Sequence, residues 1–283
     1  MWARLWREAL RYPFGAVGAL LAIPFFVAAL IPSFAPYDPL QIRPADALAG
    51  PSPLYWLGTD TLGRDELSRV IYGARPSLGV GFASVMLSVL VGAPLGLVAG
   101  YRVGLADQVI MRALDALQAF PGVVLALAIA AALGPGVQNA VLAVALVYVP
   151  VFARLIRGQA LAARALPYME TARASGADGT RIVLRHLLPN IAPPLLIQVY
   201  LTVAYAILLE ATLSFLGVGV QPPAPSWGSM LRDGYAYLSL APALSLVPGA
   251  TIFVLVLGLT LLGDAIWTAS DPEQARRATR QAK

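Results

Sequence analysis

The side chains that most often carry enzyme chemistry are scarce in this sequence. Its 283 residues include no cysteine and one histidine, His186, and the only lysine is Lys283. A phosphate-binding P-loop needs Gly-x-x-x-x-Gly-Lys followed by Ser or Thr, and Lys283 provides no such motif. Cysteine-based zinc sites and multi-histidine metal sites are also excluded. We therefore expect no catalytic residue, no metal and no cofactor, so that any ATPase driving this protein must be a separate chain.

The composition is that of a membrane protein. Apolar residues make up 58% and charged residues 12% of the chain, whereas soluble domains average about 45–50% and about 25%. Six apolar stretches are each long enough to cross a bilayer as a helix of about 20 residues. The turn-forming residues Gly134, Pro135 and Gly136 separate the third stretch from the fourth. The predicted spans lie near 14–34, 77–100, 113–133, 140–157, 191–216 and 243–264.

The basic residues indicate the orientation of these spans. Cytoplasmic loops carry an excess of Lys and Arg, so we predict that both termini are cytoplasmic. This topology accounts for the net charge of +5 without any binding to nucleic acid. It leaves on the outer side only Arg43, Arg64, Arg69, Arg75 and Arg232.

The predicted cytoplasmic loop 158–190 has the pattern of a helical hairpin. Glu170 suits the positive end of a first helix, and Gly176 can end that helix in the left-handed conformation. Asp178 suits the N-cap of a second helix. The hairpin could lie on anionic lipid or dock onto a cytoplasmic partner, and the residues alone leave both alternatives open.

Two predicted outer segments carry further polar residues. In the segment 35–76, Gly58 and Gly63 bracket turns, and Asp65 favours a helix start and can pair with Arg69 four residues later. In the second segment, Glu210 is an ionisable group at membrane depth, which makes it either a functional residue or a structural acceptor for backbone amides.

The second segment continues into a proline-rich piece. Pro222 and Pro223 cannot lie in a regular helix, so we predict a rigid turn that lines the outer mouth. Trp227 follows this turn and is predicted to be an anchor at the membrane–water interface.

The cytoplasmic loop resembles the EAA loop of ABC-importer permeases. The family pattern is Glu-Ala-Ala, three residues, Gly, nine residues, then Ile-x-Leu-Pro. This sequence has Glu170-Thr171-Ala172, then Gly176, then His186-Leu187-Leu188-Pro189, so that Thr171 replaces an alanine and His186 an isoleucine. The resemblance implies a coupling loop for an ATPase, formed by Glu170, Thr171, Ala172, Gly176, Asp178, His186, Leu188 and Pro189.

The two outer segments resemble the dipeptide/oligopeptide/nickel branch of the same family. In the first segment the resemblance rests on Gly58, Asp60, Gly63, Arg64, Asp65, Arg69, Tyr72 and Arg75. These residues could shape the outer rim or contact a substrate-binding protein. In the second segment, at the outer mouth, it rests on Glu210, Phe215, Gly217, Pro222, Pro223 and Trp227.

The resemblance implies an all-α polytopic membrane protein with six transmembrane helices and the type I ABC importer permease fold. Its expected parts are a first helix with an outer loop (1–76), a five-helix core (77–267) containing the loop 158–190, and a cytoplasmic tail (268–283). The expected partners are a second homologous permease in a heterodimer, two ABC ATPase subunits, an extracytoplasmic solute-binding protein and the lipid bilayer of a prokaryotic inner membrane.

The expected activity is uptake by alternating access. The solute could be a dipeptide, an oligopeptide, a nickel chelate or an oligosaccharide. Two alternatives stay open at this point. The chain could be a secondary transporter that uses Glu210 and Asp115 as ion carriers, or a membrane scaffold that transports nothing.

Overall fold

The helices of the computed structural model follow the apolar stretches of the sequence. The structure describes residues 10, 12–102, 104–164, 166 and 187–270, and within these ranges the only β pairing is an isolated bridge between Thr59 and Asp65. The helices are α1 (Pro13–Leu30), α2 (Glu66–Tyr101), α3 (Leu105–Gln118), α4 (Gly122–Leu133), α5 (Val137–Arg164), α6 (Leu188–Phe215), α7 (Trp227–Tyr235) and α8 (Ala243–Ser270), with short 3₁₀ turns at Pro32–Phe34 and Pro44–Asp46.

Five of the described helices are long and apolar enough to cross a membrane: α1, α2, α5, α6 and α8. Helices α3 and α4 pass the same test together but meet at a bend of 90°, so the number of spans is six if this pair counts as one. The all-helical fold with about six spans is thereby confirmed.

The predicted third span, 113–133, contains the bend of 90° between α3 and α4. Pro121 has no amide hydrogen and disfavours the helical conformation in the residue before it. Helix α3 is also amphipathic and carries Asp107, Arg112 and Asp115. The predicted break before the fourth span is confirmed, because Gly134 and Gly136 have positive φ angles of 90° and 143°.

Close glycine contacts hold α2 against α5. A Cβ added at Gly92 would lie 2.7 Å from the carbonyl oxygen of Val149, and Gly96 packs equally tightly on Ala153. Small residues at four-residue intervals let membrane helices approach closely. The Ser88 hydroxyl adds a hydrogen bond of 2.9 Å to the Ala145 carbonyl.

Helix α1 packs mainly on α8, at the edge of the bundle. A Cβ added at Gly18 would lie 2.7 Å from the carbonyl oxygen of Gly258. The bundle has two ends: the long-loop end, where residues 31–65 and α7 lie, and the opposite end, where α2 and α5 terminate. Helix α2 runs through residue 76 without a break, and the division of the chain into three parts stays a prediction.

Candidate functional site

A tight turn at the long-loop end is organised by the carboxylate of Asp60. Its Oδ1 accepts hydrogen bonds from the amides of Leu62 (2.8 Å) and Arg64 (3.0 Å), and its Oδ2 accepts one from Arg64 Nε (2.6 Å). Arg69 Nε lies 3.4 Å from the same Oδ2. The predicted turns at Gly58 and Gly63 are confirmed by their φ angles of 83° and 72°, which favour glycine.

Asp65 is the N-cap of α2. Its Oδ2 accepts hydrogen bonds from the amide (2.8 Å) and the hydroxyl (2.6 Å) of Ser68, as expected for a cap that satisfies an amide of the first turn. The predicted helix start is therefore confirmed. The predicted pair between Asp65 and Arg69 is wrong, because capping directs Asp65 towards Ser68 and Arg69 instead approaches Asp60.

Three charged residues at the start of α2 are buried. Asp65, Glu66 and Arg69 are 3%, 2% and 4% exposed, and one atom of each, Oδ1, Oε1 and Nη1, has no hydrogen-bond partner in the described part of the chain. Tyr72 and Arg75 stand farther along α2, and Arg75 is exposed. The structure thus gathers most of the first outer motif into one buried cluster and leaves Arg75 on the surface.

A second polar network braces the long loop itself. The Tyr55 hydroxyl donates to Asp46 Oδ2 (2.7 Å) and accepts from Arg43 Nη1 (2.8 Å), and the Arg43 guanidinium lies 4.9 Å from the centre of the Tyr37 ring. The hydrogen bond to Asp46 raises the pKa of the Tyr55 phenol. Sequence reasoning missed this network because its two hydrogen bonds join residues 9 and 12 positions apart, which is no helical or strand spacing.

Glu210 of α6 links its own helix to α2 and to the segment between α6 and α7. It is fully buried, and the Ser214 hydroxyl donates to its Oε1 (2.7 Å) while accepting from the Val220 amide (3.0 Å). Ser77 of α2 lies close to the same carboxylate, and its hydroxyl accepts from the Trp227 amide (3.2 Å). Sequence reasoning did not single out Ser77 or Ser214, since serines of this kind are recognised only by their partners.

Trp227 is fully buried, so the predicted interfacial anchor is wrong. Its indole nitrogen donates to the Val70 carbonyl (2.9 Å), and its ring meets Phe25 edge to face at 5.8 Å. A buried tryptophan needs a partner for its N–H group, and α2 supplies one. Trp227 therefore holds α7 against α2 inside the protein.

The proline-rich piece before Trp227 is non-helical, as predicted. Gly217 ends α6 with a φ of 87°, and Pro222 and Pro223, joined by a cis peptide bond, are exposed. Phe215 packs on Tyr235 of α7 with ring centres 6.0 Å apart. A capping box between Ser226 and Ser229 then starts α7.

The predicted coupling loop lies mostly outside the described residues. This applies to Glu170, Thr171, Ala172, Gly176, Asp178 and His186. Leu188 and Pro189 are described, and they form the exposed first turn of α6.

Ion pairs tie the helices together at the opposite end. Arg157 of α5 binds Asp107 of α3 through two hydrogen bonds of 2.5 and 2.7 Å. Arg154 pairs with Asp115 at 2.5 Å on the surface, and Arg164 donates to the Tyr101 carbonyl at the end of α2 (3.1 Å). Sequence reasoning missed these contacts because the paired residues are 39 to 63 positions apart.

The described residues contain no group of three or more His, Cys, Asp or Glu side chains that could hold a metal ion. The arrangement is one of buried hydrogen-bonded clusters and ion pairs between helices. Such contacts can position helices and transmit movement between them, which suits transport better than the making or breaking of covalent bonds.

Two kinds of comparison with known proteins bear on this arrangement. The chain is 41% identical over 278 residues to a glutathione transport system permease protein GsiD of Pectobacterium atrosepticum, covering 96% of this chain and 91% of the relative. It is 40% identical over 273 residues to a dipeptide transport system permease protein DppC of Alkalihalophilus pseudofirmus, covering 95% and 90%. Among solved structures, an inward-facing form of the MetNI methionine ABC transporter matches with a TM-score of 0.58 and 19% identity, covering 71% of this chain and 95% of that chain.

The match to the methionine transporter shows the fold alone. The family profile described as "Binding-protein-dependent transport system inner membrane component" matches residues 92–276. This range contains the predicted coupling loop, the Glu210 cluster and most of the helical core. The chain belongs to the family of binding-protein-dependent transport system inner membrane components.

Proposed function

We propose that this chain is the permease subunit of an ATP-driven importer that takes up small peptides by alternating access. The observation that carries the proposal is the similarity over 95–96% of the chain to permeases named for glutathione and dipeptide transport. Both of those solutes are short peptides, so a pathway for compact molecules with one or two amide groups fits both relatives.

We propose a heterodimer with a second permease, served by two ABC ATPase subunits and an extracytoplasmic binding protein. The sequence supports a separate ATPase, because its single lysine provides no P-loop. In this assembly the long-loop end faces the binding protein and the opposite end faces the ATPases. The distribution of basic residues supports this orientation, with both termini in the cytoplasm.

The loop 158–190 is proposed to transmit the motion of the ATPases. It is flanked by α5 and α6, and α5 is tied to α3 by Arg157 and to the end of α2 by Arg164. A push on this loop would therefore move three helices together, which is how a small displacement becomes a rigid-body change.

The two outer clusters are proposed to have different tasks. Asp60, Asp65 and Arg69 are buried, which favours a role in shaping the rim rather than direct contact with a protein. Arg75 is exposed and is the better candidate for contact with the binding protein. Glu210 is proposed to be a structural acceptor that fixes the mouth segment, because Ser214 links it to the Val220 amide.

The test is uptake by the purified complex in proteoliposomes, with labelled dipeptide or glutathione and the matching binding protein outside. We expect uptake that needs internal ATP and is unaffected when ion gradients are collapsed. Uptake driven by an ion gradient without ATP would contradict the proposal and favour the secondary transporter. Replacing Glu210 with Gln and Asp115 with Asn separates the two mechanisms further, since only an ion carrier needs both carboxylates.

A further inference from the structure

The exposed faces of the membrane-spanning helices are of two kinds. The exposed face of α8 carries Leu246, Ala250, Phe253 and Leu257, which are all apolar and suit contact with lipid tails. The exposed face of α1 is also apolar. Helix α6 differs, because its exposed face contains hydrogen-bonding side chains.

Three polar side chains of α6 form one stripe. Gln198, Tyr205 and Thr212 are seven residues apart, which places them on the same face of a helix. Tyr205 is 61% exposed, and Gln198 and Thr212 are partly exposed. Two of them satisfy their hydrogen bonds within the helix: Gln198 donates to Thr202 (3.1 Å), and Thr212 donates to the Leu208 carbonyl (2.8 Å).

Tyr205 is the member of the stripe with an open polar group. Its hydroxyl has no hydrogen-bond partner within the described part of the chain. At a rise of 1.5 Å per residue, Tyr205 lies about 15 Å from the long-loop end of α6, which is about the middle of a hydrocarbon core of about 30 Å. Tyrosines that anchor a helix to lipid headgroups lie at the interfaces instead.

A second tyrosine reaches the same depth from α5. Tyr148 lies about 16 Å from the long-loop end of its helix by the same rise, and it is a neighbour of Tyr205. Polar groups at this depth are found facing protein or water-filled cavities rather than lipid. The two phenols therefore mark a face that does not contact lipid tails.

We propose that the stripe of Gln198, Tyr205 and Thr212, with Tyr148 beside it, is the surface with which this chain lines the translocation pathway. This inference rests on the proposed function and deepens it. The stripe carries hydrogen-bonding groups but no charge, so it can bind the amide groups of a peptide without a fixed counter-charge that would hold the charged ends of the peptide in place. The open Tyr205 hydroxyl is the group that contacts the passing solute.

The test uses single cysteines in the complete complex, because this chain has no cysteine of its own. Tyr205→Cys is compared with Phe253→Cys, a matched control: Phe253 is aromatic, 65% exposed and also about 15 Å from the long-loop end of its helix. A membrane-impermeant, positively charged methanethiosulfonate is applied to the reconstituted complex without nucleotide and with trapped ATP. The wild-type complex is treated in the same way, and its labelling gives the background from cysteines of the other subunits.

We expect labelling at position 205 in at least one nucleotide state, slowed by saturating dipeptide, and none at position 253. The proposal is overturned if position 205 is labelled in neither nucleotide state, because lipid or a tightly packed second permease then covers it. Labelling of both positions at equal rates also overturns it. Should Tyr205→Cys fail to assemble, Thr212→Cys is compared with Leu246→Cys, because Leu246 is 64% exposed and, like Thr212, about 4.5 Å from the long-loop end of its helix.

Uptake then separates this inference from the proposed function. Tyr205→Phe keeps the ring and removes one hydrogen bond, worth about 1 kcal/mol, so we expect about a fivefold loss in kcat/KM for uptake. Unchanged uptake in Tyr205→Phe, with peptide transport intact in the wild type, overturns the role of the hydroxyl and leaves the proposed function standing. Absence of peptide uptake by the wild-type complex counts against the proposed function instead. The comparison of labelling at positions 205 and 253 still tests the pathway, because it does not depend on which solute is carried.

Discussion

The charged residues at the two ends of the bundle differ in their burial and in the partners that they bind. At the long-loop end the charges around Asp60 are buried and bonded to close neighbours in the sequence, as Asp60 is to Arg64 and Asp65 to Ser68. At the opposite end the charges join different helices and the arginines are more exposed: Arg157, whose side chain is 33% exposed, binds the buried Asp107. Buried local networks are costly to disturb, whereas partly exposed pairs contribute little and can exchange partners. The difference indicates a rigid long-loop end and an opposite end that can rearrange.

The largest expected effect is on the rim. Asp60→Ala removes the carboxylate shared by Arg64 and Arg69 and leaves the buried Arg69 without its ion-pair partner, so we expect a loss of unfolding free energy of about 3–5 kcal/mol. Thermal unfolding of the detergent-solubilised complex measures it. The control is Asp233→Ala, because Asp233 and Arg232 form an exposed ion pair with a distance of 3.3 Å between Asp233 Oδ1 and Arg232 Nη2. Equal losses in the two variants would contradict a rim built on Asp60.

A smaller effect is expected in the Glu210 cluster. Ser214→Ala removes the donor to Glu210 and the acceptor of the Val220 amide, and two buried groups then lack a partner. We expect a loss of about 1–3 kcal/mol, measured by the same unfolding experiment. Thr212→Ala on the same helix turn is the control, because the Thr212 hydroxyl bonds only to its own helix. A Ser214→Ala protein as stable as the control would show that Glu210 does not fix the mouth.

The opposite end should respond in function more than in stability. Asp107→Asn weakens the two-point contact between the buried Asp107 and the partly exposed Arg157, for which we expect a loss of about 1–2 kcal/mol of stability and a reduced coupling of ATP hydrolysis to uptake. Transported peptide per ATP hydrolysed is the measurement. The double variant Asp107→Arg with Arg157→Asp should recover part of the coupling. A single variant with normal coupling would mean that this pair does not transmit motion.

The smallest effect is expected at Asp115. Its side chain is 61% exposed and that of its partner Arg154 is 44% exposed, so Asp115→Ala should change stability by less than about 1 kcal/mol and leave ATP-driven uptake unchanged. A large loss of uptake in this variant would reopen a role for Asp115 as an ion carrier.

The sequence predicted the features of this fold that depend on neighbours along the chain. The apolar stretches placed the spanning helices, and the Asp65 start and the Gly58 and Gly63 turns followed from local propensity. The bend between α3 and α4 was missed, because the apolar run around Pro121 continues on both sides of it.

Contacts between residues far apart in the chain could not be predicted from the sequence. The pair of Asp107 and Arg157 spans 50 positions, and the bond of Trp227 to Ser77 spans 150. Trp227 was assigned to the membrane interface because tryptophan is common there. Only the packing of α7 against α2 shows that it is buried, and no local pattern carries that information.

The most direct test of a rigid long-loop end and a rearranging opposite end is hydrogen exchange on the reconstituted complex. Exchange is followed by mass spectrometry without nucleotide and with trapped ATP. We predict unchanged protection at residues 55–70 and a change of protection at residues 101–118 and 150–164. A change confined to residues 55–70, with the opposite end unaffected, would contradict the account.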